Sequence, residues 1–177
     1  SFLNLISTES EDTKYPFATD EFRKEFKHTF WMVPGVKEAK ALSAILKRHT
    51  VFMHYQVVNV AGEGNEELPY DNALKLVQDA IKENEYTITI SCGKLTTGVS
   101  VKPWSGILML RNCSSPETYF QAAFRVQTPW TVSNIDGLSP NKIDILKEEC
   151  YVFDFAPNRA LKQIQEYSCR LNINESN

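Results

Sequence analysis

The run Gly106–Leu110, GILML, contains no polar side chain. Side chains alternate between the two faces of a strand, so an unbroken apolar run needs both faces covered. A parallel sheet between two layers of helices meets that demand. Four more segments read as strands: His28–Pro34, Thr50–Gly62, Glu85–Gly93 and Cys150–Pro157. They are rich in β-branched and aromatic residues, and most are closed by Gly or Pro. Helical patterns lie between them. Val36–Arg48 spaces Val36, Ala39, Leu42, Ala44, Ile45 and Leu46 along one side. Asp71–Asn84 has Asp71 or Asn72 as N-cap, with Leu74, Val77 and Ile81 apolar. Ser115–Val126 has Ser115 as cap and Pro116 at the first helical position. Asn158–Asn172 closes the chain with Ala160, Leu161, Ile164, Gln165 and Leu171 on one side. The expected fold is α/β, a mostly parallel sheet with helices on both faces in three layers.

The folded domain is expected over 28–177. Residues 1–27 are polar and mixed in charge, and read as a linker or the edge of a preceding domain. The chain starts without Met and without the basic start and apolar centre of a signal peptide, as expected of a piece of a longer polypeptide. No apolar run is long enough to span a bilayer, so no membrane partner is expected. Cys92, Cys113, Cys150 and Cys169 show no C-x-x-C pair and read as free thiols in a reducing cytoplasm. His28, His49 and His54 have no metal-ligand spacing with each other or with the cysteines, so no metal ligands are assigned.

The net charge is −3, which does not mark a strong nucleic-acid binder. The charge is uneven, however. Between Tyr86 and Thr131, Lys94, Lys102, Arg111 and Arg125 face one acid, Glu117, a local balance of +3. Glu63, Glu66, Glu67 and Asp71 form an acidic loop, read as solvated surface.

Two stretches carry candidate chemistry. Gly93–Val101, GKLTTGVSV, combines two glycines, hydroxyls and a lysine. Glycine lets backbone approach a ligand, and hydroxyl and N–H groups suit phosphate. The stretch is not a Walker A loop, and by itself reads equally as a solvated turn. The second stretch places Gln121 and Arg125 four apart on one helix face. A guanidinium is a fork of donors with a fixed charge, suited to a phosphate. The plain alternative is a structural pair between Arg125 and a carboxylate such as Asp154. Ligands of parallel sheets bind at the carboxyl ends of strands, and both stretches follow strands, so both are expected at one edge.

Taken in order, these residues resemble the second motor domain of superfamily 2 helicases and translocases, most closely the motor subunits of restriction–modification systems. Leu95-Thr96-Thr97-Gly98-Val99-Ser100 is similar to motif V, and Gln121 to Thr128 is similar to motif VI, Q-x-x-G-R-x-G-R. Phe30–Leu42 stands where motif IV and its helix fall. The resemblance covers Phe26 to Leu171 and implies a RecA-like fold, one of two motor domains with ATP in the cleft between them. It implies that the first RecA-like domain of the same polypeptide holds most of the ATP and Mg²⁺. It implies Arg125 as an arginine finger with Gln121 beside it, and Gly98 and Ser100, with Arg125, near the nucleotide. Lys94, Thr96 and Thr97 are implied to touch DNA through its backbone, without reading sequence. This chain departs from the family at Thr128, which replaces the second arginine, at Phe124, which replaces a glycine, and at Ser100, which replaces an acid. Arg111 is the nearest candidate for the missing guanidinium. Tyr119, Phe120, Phe124 and Val126 are expected in the core. A non-catalytic α/β interaction module is the alternative. A self-contained doubly wound nucleotide-binding domain is disfavoured by the lack of G-x-G-x-x-G and Walker A sequences.

Overall fold

The computed structural model describes residues 2–10, 15–62, 69–96, 98, 100–113, 115–138 and 142–174. Its centre is β1, His28–Met32, in which every residue is buried. β1 pairs in parallel with β3 (Thr87–Ser91) on one side and with β4 (Gly106–Met109) on the other. β2 (Gln56–Asn59) lies outside β3, and β7 (Tyr151–Asp154) lies outside β4. The five-stranded sheet is parallel throughout, in the order β2-β3-β1-β4-β7.

The two faces of β1 feed two cores. Phe30 and Met32 pack with Val58, Ile107 and Met109 under α4 (Tyr70–Glu83) and α5 (Pro116–Ala123). Trp31 and Val33 pack with Ile88, Ile90 and Leu108 under α3 (Val36–Leu46). This is a three-layer α/β arrangement, as the apolar strands predict. The indole N–H of buried Trp31 donates to the Thr29 hydroxyl at 2.9 Å, so the ring enters the core without a stranded donor. Gly106 opens β4 where a Cβ would stand 3.0 Å from the Phe26 ring.

The described residues before β1, 2–10 and 15–27, take part in the second core. α1 (Phe2–Ser7) buries Leu3 and Ile6, and α2 (Asp20–Glu25) is capped by the Thr19 hydroxyl, which accepts from the Phe22 N–H at 3.2 Å. Between them Phe17 is fully buried, its ring 5.0 Å from Phe52 and 5.7 Å from Trp31.

Four further sequence expectations change. The strand expected over Thr50–Gly62 is regular only at Gln56–Asn59, because Phe52–His54 winds into a 3₁₀ turn that delivers Phe52 to the aromatic cluster. α4 starts at Tyr70 behind Pro69, so neither Asp71 nor Asn72 is the cap. The helix from Ser115 tightens to 3₁₀ geometry over Phe124–Val126. An antiparallel hairpin, β5 (Trp130–Ser133) with β6 (Ile143–Lys147), lies outside the main sheet. Finally α6 (Pro157–Asn174) packs on α5, with the Phe120 and Tyr167 rings 4.4 Å apart and an ion pair between Arg170 and Glu117. No helix among the described residues is long and apolar enough to cross a membrane.

Phe17→Ala removes a ring enclosed on all sides and is expected to cost about 3–5 kcal/mol in a urea titration. A loss below ~1 kcal/mol would show that residues 1–27 fold independently of the sheet.

Candidate functional site

The turn after β3 is built from its own hydrogen bonds. The Ser91 hydroxyl donates to the Lys94 carbonyl at 2.7 Å and accepts the Gly93 N–H at 3.1 Å. The Thr96 hydroxyl donates to the Gly93 carbonyl at 2.6 Å. Leu95 takes a left-handed φ of 62°, an unusual conformation for a side-chain-bearing residue, and sinks its side chain into the core. Thr96 is buried with its one hydroxyl proton committed, so it shapes the turn and retains only acceptor capacity. Lys94 is half-buried on the same turn. Gly98 is exposed at φ 76°, and a Cβ there would lie 3.2 Å from the Tyr70 hydroxyl at the start of α4. Ser100 is exposed. Thr97, expected to touch DNA, lies outside the described residues, as do Glu63, Glu66 and Glu67 of the acidic loop.

Arg111 completes this edge. Its Nη1 donates to the Cys92 carbonyl at 2.6 Å. β1 lies between β3 and β4, so this guanidinium reaches across the carboxyl end of the central strand. Asp154, at the end of β7, is taken by Arg159 of α6 and by the Ala156 N–H. Burial first, and then Asp154, raise the Tyr119 hydroxyl to about 12.

Gln121 and Arg125 share one turn, as their spacing predicts. Arg125 is half-buried and donates from Nε to the Gln121 carbonyl at 3.1 Å, while Gln121 is exposed. Among core expectations for this helix, Tyr119 and Val126 are buried, Phe120 is partly so, and Phe124 is 41% exposed. Phe124 stands out because the 3₁₀ turn rotates it away from the sheet.

The end of the sheet at which Arg125 lies differs from the expectation. The Lys147 ammonium donates to three carbonyls, those of Lys102, Trp104 and Val126, each at 2.8 Å. Trp104 precedes β4, so Val126 and its neighbour Arg125 are tied to the amino end of that strand. α5 has carried the chain back along the sheet, antiparallel to β4. The extended path from Trp104 to Arg111 covers roughly 20 Å at about 3.3 Å per residue. Arg111 therefore does not substitute for the arginine missing at Thr128. The expectation that both stretches face one edge is replaced by two sites. One comprises Lys94, Thr96, Gly98 and Arg111 at the carboxyl ends, and the other has Gln121 and Arg125 at the amino end.

Beside the second site, a cleft of about 600 Å³ opens between the hairpin and the amino ends of β1, β4 and β7. Lys24, His28, Trp130, Lys147, Glu149 and Tyr151 are among its walls. Burial lowers the Lys147 pKa, and its three carbonyl partners use all its protons. A hydrogen bond to Glu149, then burial, raise Tyr151 to about 12. His28 is buried, with Nδ1 3.0 Å from the Thr87 hydroxyl and the Trp130 ring at its edge. Burial first, and then the Lys27 charge, lower its pKa from 6.5 to about 4. Lys147 and His28 are invisible in sequence, because their partners lie on other elements. Lys94 and Arg111 at the first site, and Gln121 and Arg125 at the second, are donors of the kind that a phosphate accepts from. No cluster of three or more His, Cys, Asp or Glu suited to a metal ion occurs among the described residues.

No protein-family model matches this chain. A relative in Mycoplasma pneumoniae, "Putative type II restriction enzyme and methyltransferase RM.MpnORF110P C-terminus", is 36% identical over 171 residues. The chain is related in sequence to a restriction–modification protein. The match covers 93% of this chain and 22% of the relative's length.

Between pH 6.5 and 4 the unfolded chain protonates His28 while the folded chain keeps it neutral, so stability falls as pH drops through that window. The group contributes up to about 3 kcal/mol of loss. His28→Gln is expected to flatten the pH dependence of the urea midpoint. Parallel slopes in the two proteins would assign the loss to other groups.

Proposed function

We propose that this chain is the second motor domain of an ATP-dependent DNA translocase or helicase in a restriction system, and that it acts with a first RecA-like domain of the same polypeptide. The reading is supported most by one arrangement. The two motif-like stretches follow neighbours of the same central strand in a parallel sheet, in the family's order, in a chain related to a restriction protein. Arg125 presents a guanidinium on a turn at the surface with Gln121 beside it. In this reading the other domain supplies ATP, with Mg²⁺ held there. Arg125 then offsets charge building on the transferred phosphoryl group, a positioning and electrostatic role. Gly98 and Ser100 follow β3 at the opposite, carboxyl end of the sheet, so this reading does not place them at the nucleotide that Arg125 meets. Lys94 and Thr97 meet DNA phosphates, which sets affinity without reading bases, while Thr96, whose hydroxyl proton is held by the Gly93 carbonyl, only shapes the turn. The chain alone neither holds ATP tightly nor hydrolyses it, and it works in the cytoplasm.

A second reading, a non-catalytic α/β interaction module, is favoured by the separation of Arg111 from Arg125, which leaves the phosphate clamp with one arginine.

In a polypeptide that joins this chain to its first motor domain, Arg125→Ala should lower DNA-stimulated ATP hydrolysis by roughly 10³-fold or more, with ATP affinity little changed. Full activity in that variant, or turnover by the chain alone, contradicts the motor reading.

A further inference from the structure

A groove of about 440 Å³ runs between α3 and the edge strand β2, and none of its lining residues belongs to either site described above. It is lined by Lys40, Ser43, Lys47, Arg48, Val57 and Asn59, along with Ala44. Lys40 lies on α3, Lys47 is its C-cap and Arg48 follows in the turn, and all three line the groove. All three are exposed, and none forms an ion pair among the described residues. The helix and its exit, 36–48, carry Lys37, Lys40, Lys47 and Arg48 against Glu38 alone, within a chain of net charge −3. No carboxylate lines the groove.

The strand adds donors. The N–H groups of Gln56 and Val60 bond to the carbonyls of Tyr86 and Ile90 on the β3 side. Alternation along the strand therefore turns the N–H and C=O groups of Val57 and Asn59 to the open edge, into the groove. Asn59 uses its side-chain oxygen on the Ala61 N–H at 3.0 Å, which leaves its amide N–H₂ as a donor. Lys40 and Lys47 are about 10 Å apart along the helix axis, within reach of successive phosphates for side chains of that length.

We propose that this groove is a second binding site for the DNA phosphodiester backbone. The proposal rests on the reading of the chain as part of a DNA-acting protein, and extends it to a face that the motif-like stretches do not reach. Three phosphate contacts release counterions, so they contribute about 2.7 to the slope of log affinity against log salt.

The test is fluorescence anisotropy of the 177-residue chain with a short labelled duplex across a salt series, with circular dichroism to check folding. Lys40→Ala/Lys47→Ala/Arg48→Ala should reduce the slope by about 2.7 and weaken binding on the order of tenfold or more at moderate salt. Lys40→Arg/Lys47→Arg/Arg48→Lys should keep both. Lys75→Ala/Lys82→Ala, on exposed positions of α4, should leave both unchanged. Binding by the unaltered chain with the same slope in the triple alanine variant overturns this site and leaves the motor reading standing. Failure of the unaltered chain to bind duplex at any salt overturns this site together with the DNA contacts on which it rests.

Discussion

The double pairing of β1 fixes the rest of this molecule. Thr29–Met32 match Ile88–Ser91 on one side and Gly106–Met109 on the other. A strand with two parallel neighbours exposes neither backbone edge, and its side chains must be apolar on both faces or find partners internally. The sequence HTFWM answers this with Phe30 and Met32 on one face, Trp31 on the other, and Thr29 and His28 bonded to Trp31 and Thr87. Parallel pairing also aligns the strand ends. The turn after β3 and the segment after β4 therefore flank the carboxyl end of β1, where Arg111 spans them.

The helix α5 then separates two kinds of charge chemistry. Its start stands at the carboxyl edge, and its 3₁₀ end returns to the amino end, where Lys147 gathers three carbonyls. A carbonyl left unpaired in such a place costs about 1–3 kcal/mol, so one ammonium holding three of them locks the hairpin, the end of α5 and the approach to β4 together. Arg125 rides on that fixed turn. Its position is set by backbone contacts on both sides, which is the condition for a guanidinium to meet a phosphate at a defined place.

Much of the architecture was legible in the sequence, because the parallel strands are nearly unbroken apolar runs and the helices show clear periodicity. Ser115 and Pro116 mark the start of α5 as expected, with the Ser115 hydroxyl accepting from the Thr118 N–H at 3.4 Å. Errors arose where tertiary packing overrides local pattern. Thr50–His54 looks like strand, but Phe52 satisfies the aromatic cluster only from a tight turn. Residues 1–27 look like linker, because Leu3, Ile6, Phe17 and Phe26 are diluted among charges. The hairpin is half-exposed, with Ile145 62% and Leu146 48% accessible, so it lacks the alternation of a buried strand. At the site, the spacing puts Gln121 and Arg125 on one helix face, and the structure joins them through the Arg125 Nε–Gln121 carbonyl bond across the step from α5 into the 3₁₀ turn. Spacing could not show at which end of the sheet that turn lies, because that depends on the length and direction of α5. Lys147 carries no signal in sequence, since its acceptors are backbone carbonyls.

Under the proposed function, the Gln121–Gln127 turn closes on a nucleotide delivered by another domain. Amide hydrogen exchange on a polypeptide holding both domains, with and without a transition-state analogue of ATP hydrolysis, tests it most directly. Slowed exchange is expected at residues 121–127 when the analogue binds, with residues 143–147 of the hairpin slowed alongside them. Unchanged exchange at 121–127 under saturating analogue would contradict it.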